Sequence, residues 1–157
     1  MTILTIDPGT SLGWALYRDG YTISGVQRFS INRDESPGMR WLRFNSWLKE
    51  IRHHCKGVID IIYHERPHHR GGAATAILEG FISQLQGFAA RINAEIKGVH
   101  SGTLKKFSAG KGNADKETML NTAKEKWPDQ HVIDDNQADS LHLLSYAMSE
   151  LGIENGG

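Results

Sequence analysis

Thr2-Ile3-Leu4-Thr5-Ile6-Asp7-Pro8-Gly9-Thr10 opens the chain with apolar residues that run into an acid and then stop at a turn. The Ile and Leu of Thr2 to Asp7 suit a packed strand, and Asp-Pro-Gly-Thr cannot continue one. Gly13 to Tyr17 and Tyr21 to Ser30 read as two further strands separated by Arg18-Asp19-Gly20. Asp-Gly after such a run favours a tight hairpin, because Gly tolerates positive φ. The first thirty residues therefore predict an antiparallel meander.

Beyond it the period changes. Trp41, Phe44, Leu48 and Ile51 recur at helical spacing between Met39 and His54, with Arg40, Arg43, Lys49 and Arg52 among them. Val58 to Tyr63 is a short apolar run broken by Asp60, and it ends at His64-Glu65-Arg66-Pro67, where the proline halts the strand. Ile77, Phe81, Leu85, Phe88 and Ile92 form a second helical stripe, and Ile96 to His100 suits another strand. Gly110-Lys111-Gly112-Asn113 reads as a loop, with Asn113 as cap of a helix running to Trp127 and ended by Pro128. Asn136 to Leu151 closes the chain as a helix with Ala138, Leu141, Ser145 and Met148 on one side. The order βββ-α-β-α-β-α-α predicts an α/β fold, a mixed central sheet with helices on both faces.

Composition narrows the function. The chain has 157 residues, 39% hydrophobic and 23% charged, which suits one folded domain, taken here as residues 1–152, with a flexible tail over 153–157. Eighteen Lys plus Arg balance eighteen Asp plus Glu, so any charged site must come from local clustering. A single cysteine, Cys55, excludes an internal disulfide and fits a reducing compartment, and its place near a helix end suits a small buried hydrophobe. No basic segment followed by an apolar core precedes Asp7, so no signal peptide is expected. The stripe from Ile77 to Ile92 carries Glu79, Gln84, Gln86 and Arg91 and is too short and polar to span a bilayer.

Three acids stand out by position. Asp7 ends the first strand, Glu65 ends the fourth, and Asp139 lies on an otherwise apolar face of the last helix. If the first and fourth strands are parallel neighbours, Asp7 and Glu65 leave the sheet at one edge, where α/β folds bind ligands, and Asp139 can reach the same point. Clustered carboxylates repel and call for a hard, oxygen-seeking cation such as Mg²⁺. Two such ions about 3.5–4 Å apart activate water and stabilise the leaving oxygen of a phosphodiester. Each acid also has an ordinary reading, as a turn residue, a surface ion-pair partner and a first-turn helix acid respectively.

Four stretches together resemble the RuvC family of Holliday-junction resolvases. Ile6-Asp7-Pro8-Gly9-Thr10-Ser11-Leu12-Gly13-Trp14-Ala15 is similar to its opening motif, and Tyr63-His64-Glu65 to its strand-end glutamate. Gly110-Lys111-Gly112-Asn113-Ala114-Asp115-Lys116-Glu117 resembles its glycine-rich loop and lysine-bearing helix, and Asp134-Asp135-Asn136-Gln137-Ala138-Asp139-Ser140-Leu141 its acidic C-terminal motif. The resemblance implies a ribonuclease-H-like fold and a homodimer that nicks two strands of a four-way DNA junction symmetrically. It implies Mg²⁺, two ions per site with Mn²⁺ as a substitute, held by Asp7, Glu65 and Asp139, with Lys116 beside the scissile phosphate. The cytoplasm of a bacterium or a phage-infected cell is the implied location.

Two departures separate the chain from bacterial members. The acid three residues before the last Asp is Asn136 here, so Asp135 is taken as the fourth acid, with the Asn136 carbonyl as the alternative. After Glu65, where bacterial members carry an aromatic, this chain has Arg66-Pro67-His68-His69-Arg70, which fits a more permissive, phage-type enzyme. Arg66, Arg70, Lys105, Lys106, Lys111 and Lys116 form the expected DNA-binding set, positioning phosphates without reading sequence. His64, His68 and His69 lack the partners of a tetrahedral zinc site. A ribonuclease acting on RNA or a hybrid, and a junction-binding protein without cleavage, are the competing readings. The Ile77 to Ile92 helix is the candidate dimer interface, with an apolar face wide enough for core and partner.

Overall fold

The computed structural model describes residues 1–67 and 71–154. Strands β1 (Thr2–Asp7), β2 (Ser11–Arg18) and β3 (Tyr21–Arg28) form the expected antiparallel meander. Asp19 and Gly20 turn β2 into β3 with φ of 49° and 89°, the paired positive angles that a two-residue hairpin matching the sheet twist requires. Strand β4 (Ile61–Arg66) lies parallel to β1, and β5 (Glu95–His100) parallel to β4. The sheet order is β3-β2-β1-β4-β5, mixed as the element order implied.

Helices cover both faces. On one side α1 (Gly38–His54) and α2 (Gly72–Ile92) bury Phe44, Trp47, Leu48, Ile51, Phe81, Leu85 and Phe88 against Leu4, Ile6, Leu12, Leu16 and Ile62. Aromatic rings tie these helices, with Phe44 and Phe81 edge to face at 5.0 Å between centroids. On the other side α3 (Ser101–Ala109), α4 (Lys116–Lys126) and α5 (Asp135–Glu150) pack Leu104, Ala123, Ala138, Leu141, Leu144 and Met148 against Ile3, Ala15, Ile61 and Tyr63. Cys55 is fully buried at the end of α1, and burial pushes its thiol pKa up, consistent with a packing role.

Several details differ from the sequence reading. Helix α2 starts at Gly72, because Ala73, Ala74 and Ala76 are strong helix formers that carry no apolar stripe to announce themselves. Its apolar stripe is taken up by its own core, leaving Glu79, Ser83, Gln86 and Ala90 outward. Helix α3 was not expected, so Lys105 and Lys106 are helical. Asp115, not Asn113, caps α4, its carboxylate accepting from the Thr118 N–H at 2.8 Å, while Ala114 N–H bonds back to Lys111 in a turn. Pro128 begins a 3₁₀ turn, Pro128–Gln130, after α4 has ended. Ile153, counted with the tail, donates its N–H to Met148 at 2.9 Å and packs on the core.

Candidate active site

Strand parity decides which side chains meet. Successive residues on a strand face opposite sides of the sheet. On β1, Leu4 and Ile6 pack toward α1 and α2, so Asp7 falls with Ile3 and Thr5 on the α5 side. On β4, Ile62 packs toward α1 and α2, and Ile61 and Tyr63 toward α5, so Glu65 shares the face of Asp7. The parallel register pairs Ile6 with His64, which sets Asp7 beside Glu65 at the C-terminal ends of both strands.

The third acid arrives on α5, and three contacts dock that helix. Gly13, paired with Asp7 across β1 and β2, leaves room for the first turn: a Cβ there would lie 1.9 Å from the Asn136 carbonyl oxygen. Thr5 Oγ1 donates to the Ser140 carbonyl at 2.7 Å from within the core. Gln137, 3% exposed, donates to Ser24 Oγ at 3.0 Å and to the Gln130 carbonyl at 3.2 Å, and accepts from the Ile133 N–H at 2.9 Å. Asp134 caps the helix, accepting from the Gln137 N–H at 2.9 Å.

The outcome is a carboxylate triad. Oxygens of Asp7, Glu65 and Asp139 all lie within 4.8 Å of one another, and each residue is partly buried. They line a cleft of about 260 Å³ with Pro8, Leu78, Asp135 and Lys116. Burial, followed by the charges of Glu65 and Asp139, holds the Asp7 carboxyl well above the ordinary carboxylate range. Burial and the charges of Glu65 and Asp135 push Asp139 up to about 7, against a downward pull from Lys105 and Lys116. Burial and mutual repulsion thus make both acids harder to ionise, and a cation among them would oppose that. The donor set, all oxygen and all hard, fits a divalent ion such as Mg²⁺.

Asp135 also lines the cleft, outside the triad, and pairs with Lys116 at 3.6 Å. The main-chain carbonyl of Asn136 faces Gly13. Lys105 lies near enough to Asp139 to favour its charged form, while Lys106 and Lys111 are exposed beyond the cleft. Arg66 differs from expectation. It borders the cleft, but its guanidinium lies across Gly98 and donates to His100 Nε2 at 3.3 Å, on the face opposite Glu65. His64 faces that side too, in a second cavity of about 360 Å³ with Glu79 and Gln86. Arg70, His68 and His69 lie outside the described residues. Sequence reasoning missed Gly13, Thr5 and Gln137, whose roles depend on how α5 crosses the sheet.

Acids at the ends of adjacent parallel strands, joined by one from the last helix of a mixed five-stranded sheet, define a ribonuclease-H-like α/β fold. Among solved structures, this fold is similar to that of RuvC. The Thermus thermophilus RuvC structure superposes with a TM-score of 0.75 at 18% identity, over 97% of each chain. T. thermophilus RuvC in complex with its Holliday junction substrate gives 0.77 at 18% identity, over 97% of this chain and 96% of that one. The yeast mitochondrial Holliday junction resolvase gives 0.62 at 16% identity, over 91% and 75%. No protein-family model and no curated protein matches the sequence.

Proposed function

We propose that the chain is a metal-dependent endonuclease that resolves four-way DNA junctions by symmetric nicking. The observation that carries this reading is the triad of Asp7, Glu65 and Asp139 within 4.8 Å, in a cleft edged by Lys116. The solved structures of the same fold support it, since those of T. thermophilus and fowlpox virus hold Holliday junction DNA.

Asp7, Glu65 and Asp139 would hold Mg²⁺, with Asp135 as a further acid at the rim and Mn²⁺ as a substitute. Bound there, the metal supplies an activated water and charge stabilisation at the leaving oxygen. The protein's own groups do the rest. Lys116 and Lys105 offset the anionic scissile phosphate, and Lys116 stabilises charge developing on it. Lys106 and Lys111 extend the phosphate track without reading bases, and Arg70 belongs to the same set by sequence alone. Arg66 fits this track less well, because its guanidinium is engaged with His100. Symmetric nicking requires two copies, and the outward Ser83, Gln86 and Ala90 of α2 offer the surface for a second one. A single domain, extended from the expected 1–152 to include Ile153, and acting in the cytoplasm, is part of this reading. Among the described residues no helix is long and apolar enough to cross a membrane.

The test is cleavage of an immobile, labelled four-way junction in Mg²⁺, with duplex and RNA–DNA hybrid controls and Asp7→Asn alongside. Paired symmetric nicks that vanish in the variant are expected. A junction-specific gel shift without nicks would make the protein a binding module, and nicks confined to the hybrid would change the substrate.

A further inference from the structure

Lys116 is 90% exposed and meets the acids through one long contact, 3.6 Å to Asp135. So exposed a side chain is not fixed by its own surroundings. The helix that carries it is fixed one turn further on. His142, with no exposed surface, donates from Nε2 to the Met119 carbonyl at 2.7 Å. A carbonyl oxygen only accepts, so Nε2 carries the proton and Nδ1 is left a bare acceptor. That Nδ1 is buried and has no hydrogen-bond partner among the described residues.

An orphaned acceptor in the core destabilises the fold, and a leucine of similar volume would avoid it. Packing alone therefore does not account for histidine here. The spacing does. Met119 lies three residues after Lys116, and His142 three residues after Asp139, so the bond joins the next turn of each helix. A second bond, Trp127 Nε1 to Ser145 Oγ at 3.0 Å, lies beyond the far end of α4 and cannot set its first turn alone.

We propose that His142 is a positioning residue whose hydrogen bond to Met119 clamps α4 onto α5 and so holds Lys116 against Asp135 and Asp139. The inference rests on the metal-site reading of the acids, and the experiment separates the two. Mn²⁺ affinity of the DNA-free protein is measured by calorimetry at pH 8 in a double-mutant cycle. Removing the Lys116 charge relieves repulsion of the ion, so Lys116→Ala should tighten binding roughly five- to tenfold. His142→Leu should tighten it by at least half as much on a logarithmic scale, and the double variant should match Lys116→Ala, because the histidine acts through the lysine. His142→Gln keeps a donor for Met119 and should restore wild-type affinity.

Additive effects, or wild-type affinity in a folded His142→Leu, would overturn the clamp. If His142→Leu does not fold, His142→Gln decides: a variant that melts like wild type yet binds Mn²⁺ as Lys116→Ala does also overturns it. If wild type binds no Mn²⁺, the metal reading fails and the clamp is judged by hydrogen exchange. It stands if a folded His142→Leu speeds exchange of the Glu117 to Leu120 amides relative to α5, or, where that variant does not fold, if His142→Gln keeps them at the wild-type rate. It falls if those amides are unchanged in His142→Leu or exchange faster in His142→Gln.

Discussion

Gly13→Ala tests the geometry of the site without touching an acid. An ideal Cβ at Gly13 would sit 1.9 Å from the Asn136 carbonyl oxygen, 2.3 Å from its carbon and 2.9 Å from the Gln137 nitrogen. A carbon–oxygen contact normally lies at about 3.4 Å, so β2 and the first turn of α5 would have to separate by about 1.5 Å. The obstacle is backbone, which cannot rotate away as a side-chain tip can. Overpacking of this kind costs about 3 kcal/mol, which in a chain of this length lowers Tm by about 6–12 °C. Because the displaced turn carries Asp135 and leads to Asp139, junction nicking should fall by about 100-fold. Gly9→Ala is the control, since its Cβ would meet Ser11 and Leu78 at 3.8 and 4.0 Å, ordinary contact distances near the same cleft. Thermal melting with single-turnover cleavage reads both effects. Equal melting of the two variants, or full cleavage by Gly13→Ala, would refute the reasoning.

Three further outcomes are expected. Asp139 titrates at about 7 and Asp7 is also raised, so between the usual carboxylate range and neutrality the native state holds protons that the unfolded chain has lost. Stability of the metal-free protein must then fall as pH rises through that window, and Mg²⁺ should restore it at pH 8; melting curves with and without the ion check this. Asp7→Asn should raise the metal-free Tm by relieving repulsion while reducing junction nicking to background and leaving junction binding intact, read by melting, cleavage and gel shift. Asp139→Asn should abolish cleavage, whereas Asp135→Asn, outside the triad, should lower it about 10–100-fold; equal losses in single-turnover rates would place Asp135 among the principal ligands.

Asp7, Glu65 and Asp139 were legible because each stands where an element ends or where an apolar face is interrupted. The strand parity that fixes Glu65 also bears on Arg66. Neighbours on a strand point to opposite faces, so a glutamate aimed at the cleft sends the next residue toward α2. Helix α3 was not legible: Gly102 and Ser108 weaken its propensity, and only Leu104 and Ser101 are buried to mark a face. Gly13, Thr5, Gln137 and His142 were hidden for another reason. A small or polar residue in an apolar run carries no sign of the backbone it will meet, and that partner is set only when α5 lies across the sheet. The cap of α4 fell to Asp115 because Lys111 to Ala114 forms its own turn first.

The order in which the acids appear along the chain has a consequence for synthesis. Asp7 and Glu65 come from strands that can pair early, but Asp139 lies on the final helix, whose Leu141, Leu144 and Met148 also fill the core beneath it. A nascent or prematurely ended chain lacks both that acid and that packing. The parts that complete the cleft and the parts that complete the fold are thus made together, so a half-made molecule has neither.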